Sequence, residues 1–261
     1  MDAQLNQALQ GRGVQVQDLR GLLPKHSAKE FAHRDPAALK GLVLHHAASH
    51  QVDREGIFGI ARYHVGPNHI SSTGCPGICY PRAITGDGVI HQLHDLDVAT
   101  WSQGWRRRPG DENADYLGVL IMGFFKSPTY PHEGEPTLAQ LRTVLNLWDA
   151  CRDVWTTWRT GPAIMGHFDL GKPACPGTTL ETLIRALRAN QPAAAVPGVD
   201  LNTTKGRQRF LADAGHYRGQ IDGIWGHRSK QALIDFQRTA GLVPDGIWGP
   251  RTEAAALEFM Q

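Results

Sequence analysis

No stretch of the chain approaches the roughly 18 consecutive apolar residues that a membrane-spanning helix requires, so no membrane span and no stable membrane association are expected. Residues 1–20, MDAQLNQALQGRGVQVQDLR, lack a basic start followed by an apolar run, and nothing there reads as a signal peptide. Charge of one sign is also missing. The 27 Lys and Arg nearly balance the 25 Asp and Glu, leaving a formal net charge of +2, and nothing in that balance calls for a nucleic acid partner. Cysteine is scarce: four in 261 residues are too few for a disulfide framework in a chain this long. Cys75 and Cys79, close together in TGCPGICY, allow two readings, a local disulfide or two unlinked thiols. Cys151 stands alone in a helical pattern and reads as a core residue.

What is present describes an ordinary globular protein, 41% hydrophobic and 20% charged, with a length comfortable for two domains. The segment NQPAAAVPGVD, residues 190–200, is rich in Pro, Ala and Gly without hydrophobic periodicity, and reads as a linker. It divides residues 1–189, with a core at about 41–189, from residues 201–261. In the first part, GLVL at 41–44 is a short apolar run suited to a buried strand. AITGDGVIHQL at 83–93 has the pattern of a hairpin closed by GDG. YLGVLIM at 116–122 gives another strand, and residues 163–165 a short one. Leu138, Leu141, Leu145 and Trp148 recur at helical spacing just after Pro136-Thr137. Leu180, Leu183, Ile184 and Leu187 do the same, with Thr178 and Glu181 spaced as a capping box. Strands alternating with helices predict an α/β domain: one central mixed β-sheet flanked by helices.

After the linker the sequence repeats itself. Asp222-Gly223-Ile224-Trp225-Gly226 recurs as Asp245-Gly246-Ile247-Trp248-Gly249, each followed by an Ala-containing helical stretch ending in Phe236 or Phe259. The glycines suit a tight bend, and Ser229 and Thr252 are placed to cap the helices that follow. A small all-α three-helix domain is the expectation, with Trp225 and Trp248 as packing residues of the repeated turn.

Three residues carry the chemistry. His45 adjoins the apolar strand GLVL, His167 follows AIMG, and Cys175 comes after a Gly-Lys-Pro turn that can fold the chain back. Two imidazoles and a thiolate make a three-ligand zinc site with its fourth position open, the catalytic and not the closed structural type. Among 13 histidines, spacing alone leaves coincidence as an alternative. Trp101 and Trp105, in TWSQGW, are either sugar-stacking residues or core anchors.

The strings LVLHHAAS, GDGVIHQL, YLGVLIMG and GHFDLGKPACPG occur in the order found in type 2 N-acetylmuramoyl-L-alanine amidases. That family includes phage amidases and animal peptidoglycan-recognition proteins, and the resemblance spans roughly Leu42 to Leu187. It implies that His45, His167 and Cys175 are the ligands of a Zn2+ ion and that Tyr80 is a catalytic tyrosine. The family's lysine usually lies two residues before the third ligand, a position held here by Pro173, so Lys172 is the nearest candidate. Leu120 stands where some members carry a glutamate, which suits the tyrosine-using branch. Residues 201–261 resemble the small helical peptidoglycan-binding domain.

The resemblance therefore implies a zinc-dependent hydrolase of the amide between N-acetylmuramic acid and L-alanine, with peptidoglycan as its partner. A wall-cutting chain without an export signal resembles a phage endolysin, monomeric and held in the host cytoplasm before it acts on the wall. Two alternatives accompany this reading: a non-catalytic peptidoglycan receptor on the same fold, and a zinc peptidase cutting within the stem peptide. Cys175 argues against the first, since loss of the third ligand is the usual route to inactivity. The second domain argues against a recycler of small wall fragments, for which anchoring to polymer is useless.

Overall fold

The computed structural model describes residues 1–103, 112–159, 164–188, 199, 201 and 203–260. Residues 1–40 begin with helix α1 (Asp2–Gln10), strand β1 (Val16–Asp18) and the short strand β2 (Ala32–His33). There follow β3 (Gly41–His46), α2 (Arg54–Val65), β4 (Arg82–Ile84), β5 (Ile90–Gln92), β6 (Val98–Ala99), the single turn α3 (Glu112–Asp115) and β7 (Tyr116–Ile121). The first part closes with α4 (Leu138–Val154), β8 (Ile164–Gly166) and α5 (Thr178–Arg188). Three further helices, α6 (Thr204–Asp213), α7 (His227–Thr239) and α8 (Pro250–Phe259), make up the C-terminal part. The linker expected at 190–200 lies, apart from Val199, outside the described residues. No helix among the described residues is long and apolar enough to cross a membrane.

Six strands form one mixed sheet in the order β1-β5-β4-β7-β3-β8, in which only β4 and β5 run antiparallel. The expected hairpin is that antiparallel pair, and Gly88 at its turn has φ +83, where an added Cβ would meet the Ala139 carbonyl at 2.9 Å. The first forty residues, which carry no readable pattern, prove integral: β1 extends the sheet beyond the core expected from residue 41. Asp2 anchors α1 by accepting from the fully buried Arg82 guanidinium at 2.5 Å, from Gln92 at 2.9 Å and from the Leu96 amide at 3.0 Å.

Side-chain alternation divides the sheet into unequal faces. Leu42, Leu44, Ile84, Val119 and Ile121 face a large core completed by α1, α4 and α5. Ala83 and Leu120 face a smaller cluster closed by Ile57 and Ala61 of α2. β3, between β7 and β8, is buried at every position and runs through His45 and His46 instead of ending at Leu44. Helix α4 begins where the pattern places it, with Thr137 and Gln140 forming a capping box. The buried Gln140 amide also donates to the Met122 carbonyl at 2.7 Å, tying the helix to the sheet. The capping box expected at Thr178 does not form. Thr178 is already the first residue of α5, the Glu181 amide bonds to Gly177 O at 2.9 Å, and the Glu181 carboxylate accepts from Arg185.

The three C-terminal helices pack around Phe210, whose ring meets Phe236, Trp248 and Phe259 edge to face at 4.9, 5.8 and 5.8 Å. Trp225 and Trp248 are half-buried against this core, as expected of packing residues. Ser229 and Thr252, in contrast, cap nothing. Each sits inside its helix with its hydroxyl turned inward to a buried glutamine. The Gln208 amide nitrogen lies 2.9 Å from Asp222, 2.9 Å from Ile224 O and 3.1 Å from Ser229, while its oxygen accepts from Gly223 N at 2.8 Å. Gln237 repeats the pattern with Asp245 at 2.8 Å, Ile247 O at 3.0 Å, Thr252 at 3.0 Å and Gly246 N at 2.9 Å.

Removing one such glutamine orphans several buried groups at once. Gln237→Ala is expected to destabilise the C-terminal helices by about 2 kcal/mol, the scale of a buried unsatisfied group. Denaturant unfolding of the full chain measures it, and a loss below about 0.5 kcal/mol would show that these hydrogen bonds do not hold the turn.

Candidate metal centre

Strand β3, buried at every position beside the edge strand β8, decides where the chemistry lies. His45 pairs in register with Leu120 of β7 and shares the face of the sheet that α2 covers. β8 flanks β3 on the other side and delivers His167 one residue beyond its end, at the start of a single 3-10 turn, His167–Leu170. That turn is held at both ends: Gly166 N donates to Asp169 at 3.0 Å, Asp169 pairs with Arg188 of α5, and Arg188 Nε donates to Ile164 O at 2.8 Å. Gly171 then takes a left-handed φ of +84, reversing the chain as the Gly-Lys-Pro pattern implies. Lys172 N bonds to His167 O at 3.1 Å and Cys175 N to Lys172 O at 2.9 Å, returning Cys175 to β3.

As a result His45, His167 and Cys175 each offer a ligand atom, all within 4.8 Å of one another. The two imidazole centroids are 4.3 Å apart. His45 is fully buried, yet both of its ring nitrogens lack a hydrogen-bond partner. A buried imidazole with two orphaned nitrogens is costly unless something shared satisfies it, and this donor set of two nitrogens and one sulfur is one that zinc favours. The residues therefore fit a zinc ion.

Burial, then the neighbouring His167, holds His45 well below the ordinary histidine range. His167 is lowered to about 4, first by burial and next by the charge of Lys172. Both imidazoles are thus neutral near pH 7, the form that binds metal. Burial pushes the Cys175 thiol up to about 12, opposed by a hydrogen bond from His46 N at 3.4 Å.

Tyr80 stands beside this cluster, its ring 5.2 Å from that of His45 and half-buried. Burial raises its pKa far above the usual phenol value. Lys172 is exposed on the loop between the second and third members of the cluster. Trp101 packs edge-on against Phe31 at 5.6 Å and is half-buried, so its ring serves packing at least in part. Trp105 lies outside the described residues. Cys75 and Cys79 are unlinked, buried thiols, and Cys151 is a fully buried core residue.

Sequence reasoning counts His64 and His94 only among the histidines that crowd the first domain; their side chains bond the two ends of one peptide, His94 the Ile78 carbonyl and His64 the Cys79 amide. Their positions follow no spacing rule relative to His45. Only the folded loop at 75–81 brings them near the cluster.

Comparison with known proteins adds two findings. Residues 207–256 match the sequence model of the peptidoglycan binding domain family; no curated protein sequence gives a significant match. Among solved structures, the peptidoglycan recognition protein LCa–LCx ectodomain complex bound to tracheal cytotoxin aligns with TM-score 0.50 and 18% identity, over 66% of this chain and 95% of that one. Drosophila peptidoglycan recognition protein SD gives 0.49 and 17%, over 69% and 98%. The endolysin N-acetylmuramoyl-L-alanine amidase LysCS from Clostridium intestinale URNW gives 0.46 and 16%, over 68% and 97%. At these identities the likeness is one of fold: a mixed sheet with flanking helices, joined here to a helical peptidoglycan-binding domain.

Metal loading should be visible through its protons. At pH 6 both imidazoles of the cluster are neutral and only the thiol holds a proton to displace. Titration of metal-free protein with zinc in buffers of different ionisation enthalpy should show one ion bound and about one proton released. Cys175→Ala should lose the tight site, and His45→Ala likewise; tight stoichiometric binding in either variant would contradict the assignment.

Proposed function

We propose that the chain is a zinc-dependent N-acetylmuramoyl-L-alanine amidase that hydrolyses the bond between the lactyl group of N-acetylmuramic acid and the L-alanine of the stem peptide in bacterial peptidoglycan. The observation that carries this reading is the convergence of His45, His167 and Cys175 beside Tyr80, on the less covered face of the sheet. The fold and the peptidoglycan-binding domain supply the substrate class. A site that cuts the wall, joined to a module that holds it, suits the lytic task of a phage endolysin.

When bound, zinc supplies Lewis acidity, activating water at neutral pH and polarising a carbonyl. The residues of the chain do the rest. Tyr80 stays protonated because burial disfavours its phenolate, so its hydroxyl is a hydrogen-bond donor throughout the working range. It serves the oxygen on which negative charge develops as the amide carbon becomes tetrahedral. Lys172, near enough to lower the pKa of His167, adds positive potential at the same edge. The amide of His46 donates to the Cys175 sulfur and steadies it as a thiolate. Leu120, buried in register with His45, and Ala83 beyond it on β4 keep that wall of the site dry, which strengthens each of these interactions.

The test is digestion of purified peptidoglycan by the full chain, with and without a zinc chelator, scoring new amino groups separately from new reducing ends. Chelator-sensitive release of N-terminal L-alanine, without reducing sugars, is the expected result. New N-termini other than L-alanine would mean a stem-peptide peptidase, and binding without release would mean a receptor. Tyr80→Phe should lower kcat by about 100-fold, the scale of one lost oxyanion donor, while zinc content stays unchanged. Wild-type kcat in that variant would remove Tyr80 from the mechanism.

A further inference from the structure

The backbone around Tyr80 is tied down on both sides by the half-buried His94 and the fully buried Arg82, which take no other part in the site. Ile78 O accepts from His94 Nε2 at 2.8 Å, and Pro81 O accepts from Arg82 Nη1 at 2.9 Å. Between these lies the amide of Cys79, the residue preceding Tyr80. Cys79 is fully buried, and its N–H donates to Nδ1 of His64 at 3.1 Å. His64 lies in the last turn of α2, 4% exposed, and its own carbonyl accepts from Cys75 N at 2.7 Å. One residue thus holds both ends of the 75–79 turn, through its main chain and its ring. Its imidazole also lies 5.9 Å from the Tyr80 ring, centroid to centroid.

The chemistry of this contact is restrictive. Nδ1 can accept only when it carries no proton, which puts the proton of the neutral ring on Nε2. Burial lowers His64 to about 4, so the acceptor is available at neutral pH. Without it the Cys79 N–H would be a buried, unsatisfied donor at the residue next to the tyrosine.

We propose that His64 is a positioning residue for Tyr80: by accepting the Cys79 amide at Nδ1, it fixes where the phenol stands relative to His45. The link to catalysis rests on the role given to Tyr80 above; the link to the placement of Tyr80 does not. His64 touches no reacting group and acts through the peptide it holds.

Two substitutions separate this role from others. Asn places an acceptor oxygen where Nδ1 lies, whereas Gln places its polar group where Nε2 lies. The full chain is labelled with 3-fluorotyrosine, and the Tyr80 resonance is identified by its loss in Tyr80→Phe. Zinc content, and kcat and KM on a soluble N-acetylmuramoyl peptide, are measured alongside.

His64→Asn should keep the Tyr80 resonance in place and kcat close to wild type. His64→Gln should displace or broaden that resonance and lower kcat about tenfold or more, the scale of a misplaced catalytic group, with KM and zinc content unchanged. The proposal is overturned if Gln behaves as wild type, if Gln is tolerated and Asn is not, or if both displace Tyr80 alike. Should the Gln variant not fold, the Asn variant decides: a native Tyr80 resonance supports the proposal and a displaced one overturns it. If the wild type releases no amine, the amidase reading fails, while the fluorine comparison still decides whether His64 places Tyr80.

Discussion

An imidazole buried on the next-to-edge strand of a sheet with neither nitrogen satisfied is the constraint around which this molecule is arranged. His45 occupies a strand position that would ordinarily hold Val or Ile, between Leu44 and the buried His46. Leaving its two nitrogens without partners opposes folding, and only convergence of His167 and Cys175 on the same point gives that position a purpose. The neighbours are arranged to allow it. β8 must lie beside β3 to bring His167 in, the turn after His167 must be held by Asp169 and Arg188, and Gly171 must reverse the chain for Cys175 to return. These features lie far apart in the sequence and meet only because the strands are parallel neighbours.

The two faces of the sheet divide the labour. α1, α4 and α5 bury one face against a continuous apolar core, the larger of the two clusters. The other face carries a smaller cluster under α2 and leaves the His45 region beside Tyr80 less covered. A site on the heavily covered face would be inaccessible to a polymer, whereas one on an uncovered face would lose the dry surroundings that hold its imidazoles neutral. The lowered pKa values of His45 and His167, both caused first by burial, show the compromise reached.

Much of this is legible in the sequence because the strongest signals are local. Apolar runs gave the strands at 41 and 116, a Gly-bearing turn gave the hairpin, and helical spacing after Thr137 gave α4 with its cap. The ligand candidates followed from polar residues at strand ends, with resemblance narrowing the choice. The rest depends on tertiary contacts. Ser229 and Thr252 look like caps because hydroxyls near helix starts usually are. Each instead faces a buried glutamine on the preceding helix, Gln208 or Gln237, distant enough that no local pattern joins them. Thr178 misleads in the same way, since Gly177 already supplies the carbonyl that begins α5. Residues 1–40 carry weak periodicity, and only Asp2 meeting Arg82 and β1 pairing with β5 show that they belong to the sheet.

The contact between the C-terminal helices and α4 links the two halves of the chain mechanically. Asp213, at the end of α6, accepts the Leu138 amide at 3.3 Å at the start of α4, while Arg209 pairs with Asp213 at 2.7 Å and donates to Pro136 O. Arg142 of α4 donates to Phe259 O and lies 5.2 Å over the Phe259 ring. The wall-binding part is therefore seated on the same helix whose Gln140 grips the carbonyls of the sheet. α4 covers the face opposite His45, so the contact leaves the site unobstructed. On the proposed function, a module seated in this way raises the effective concentration of peptidoglycan at the His45 cluster through a fixed geometry. Fixed seating also restricts which bonds the site can reach from one point of attachment. The short range of such an arrangement suits a dense polymer, in which the next bond of the same kind is always near.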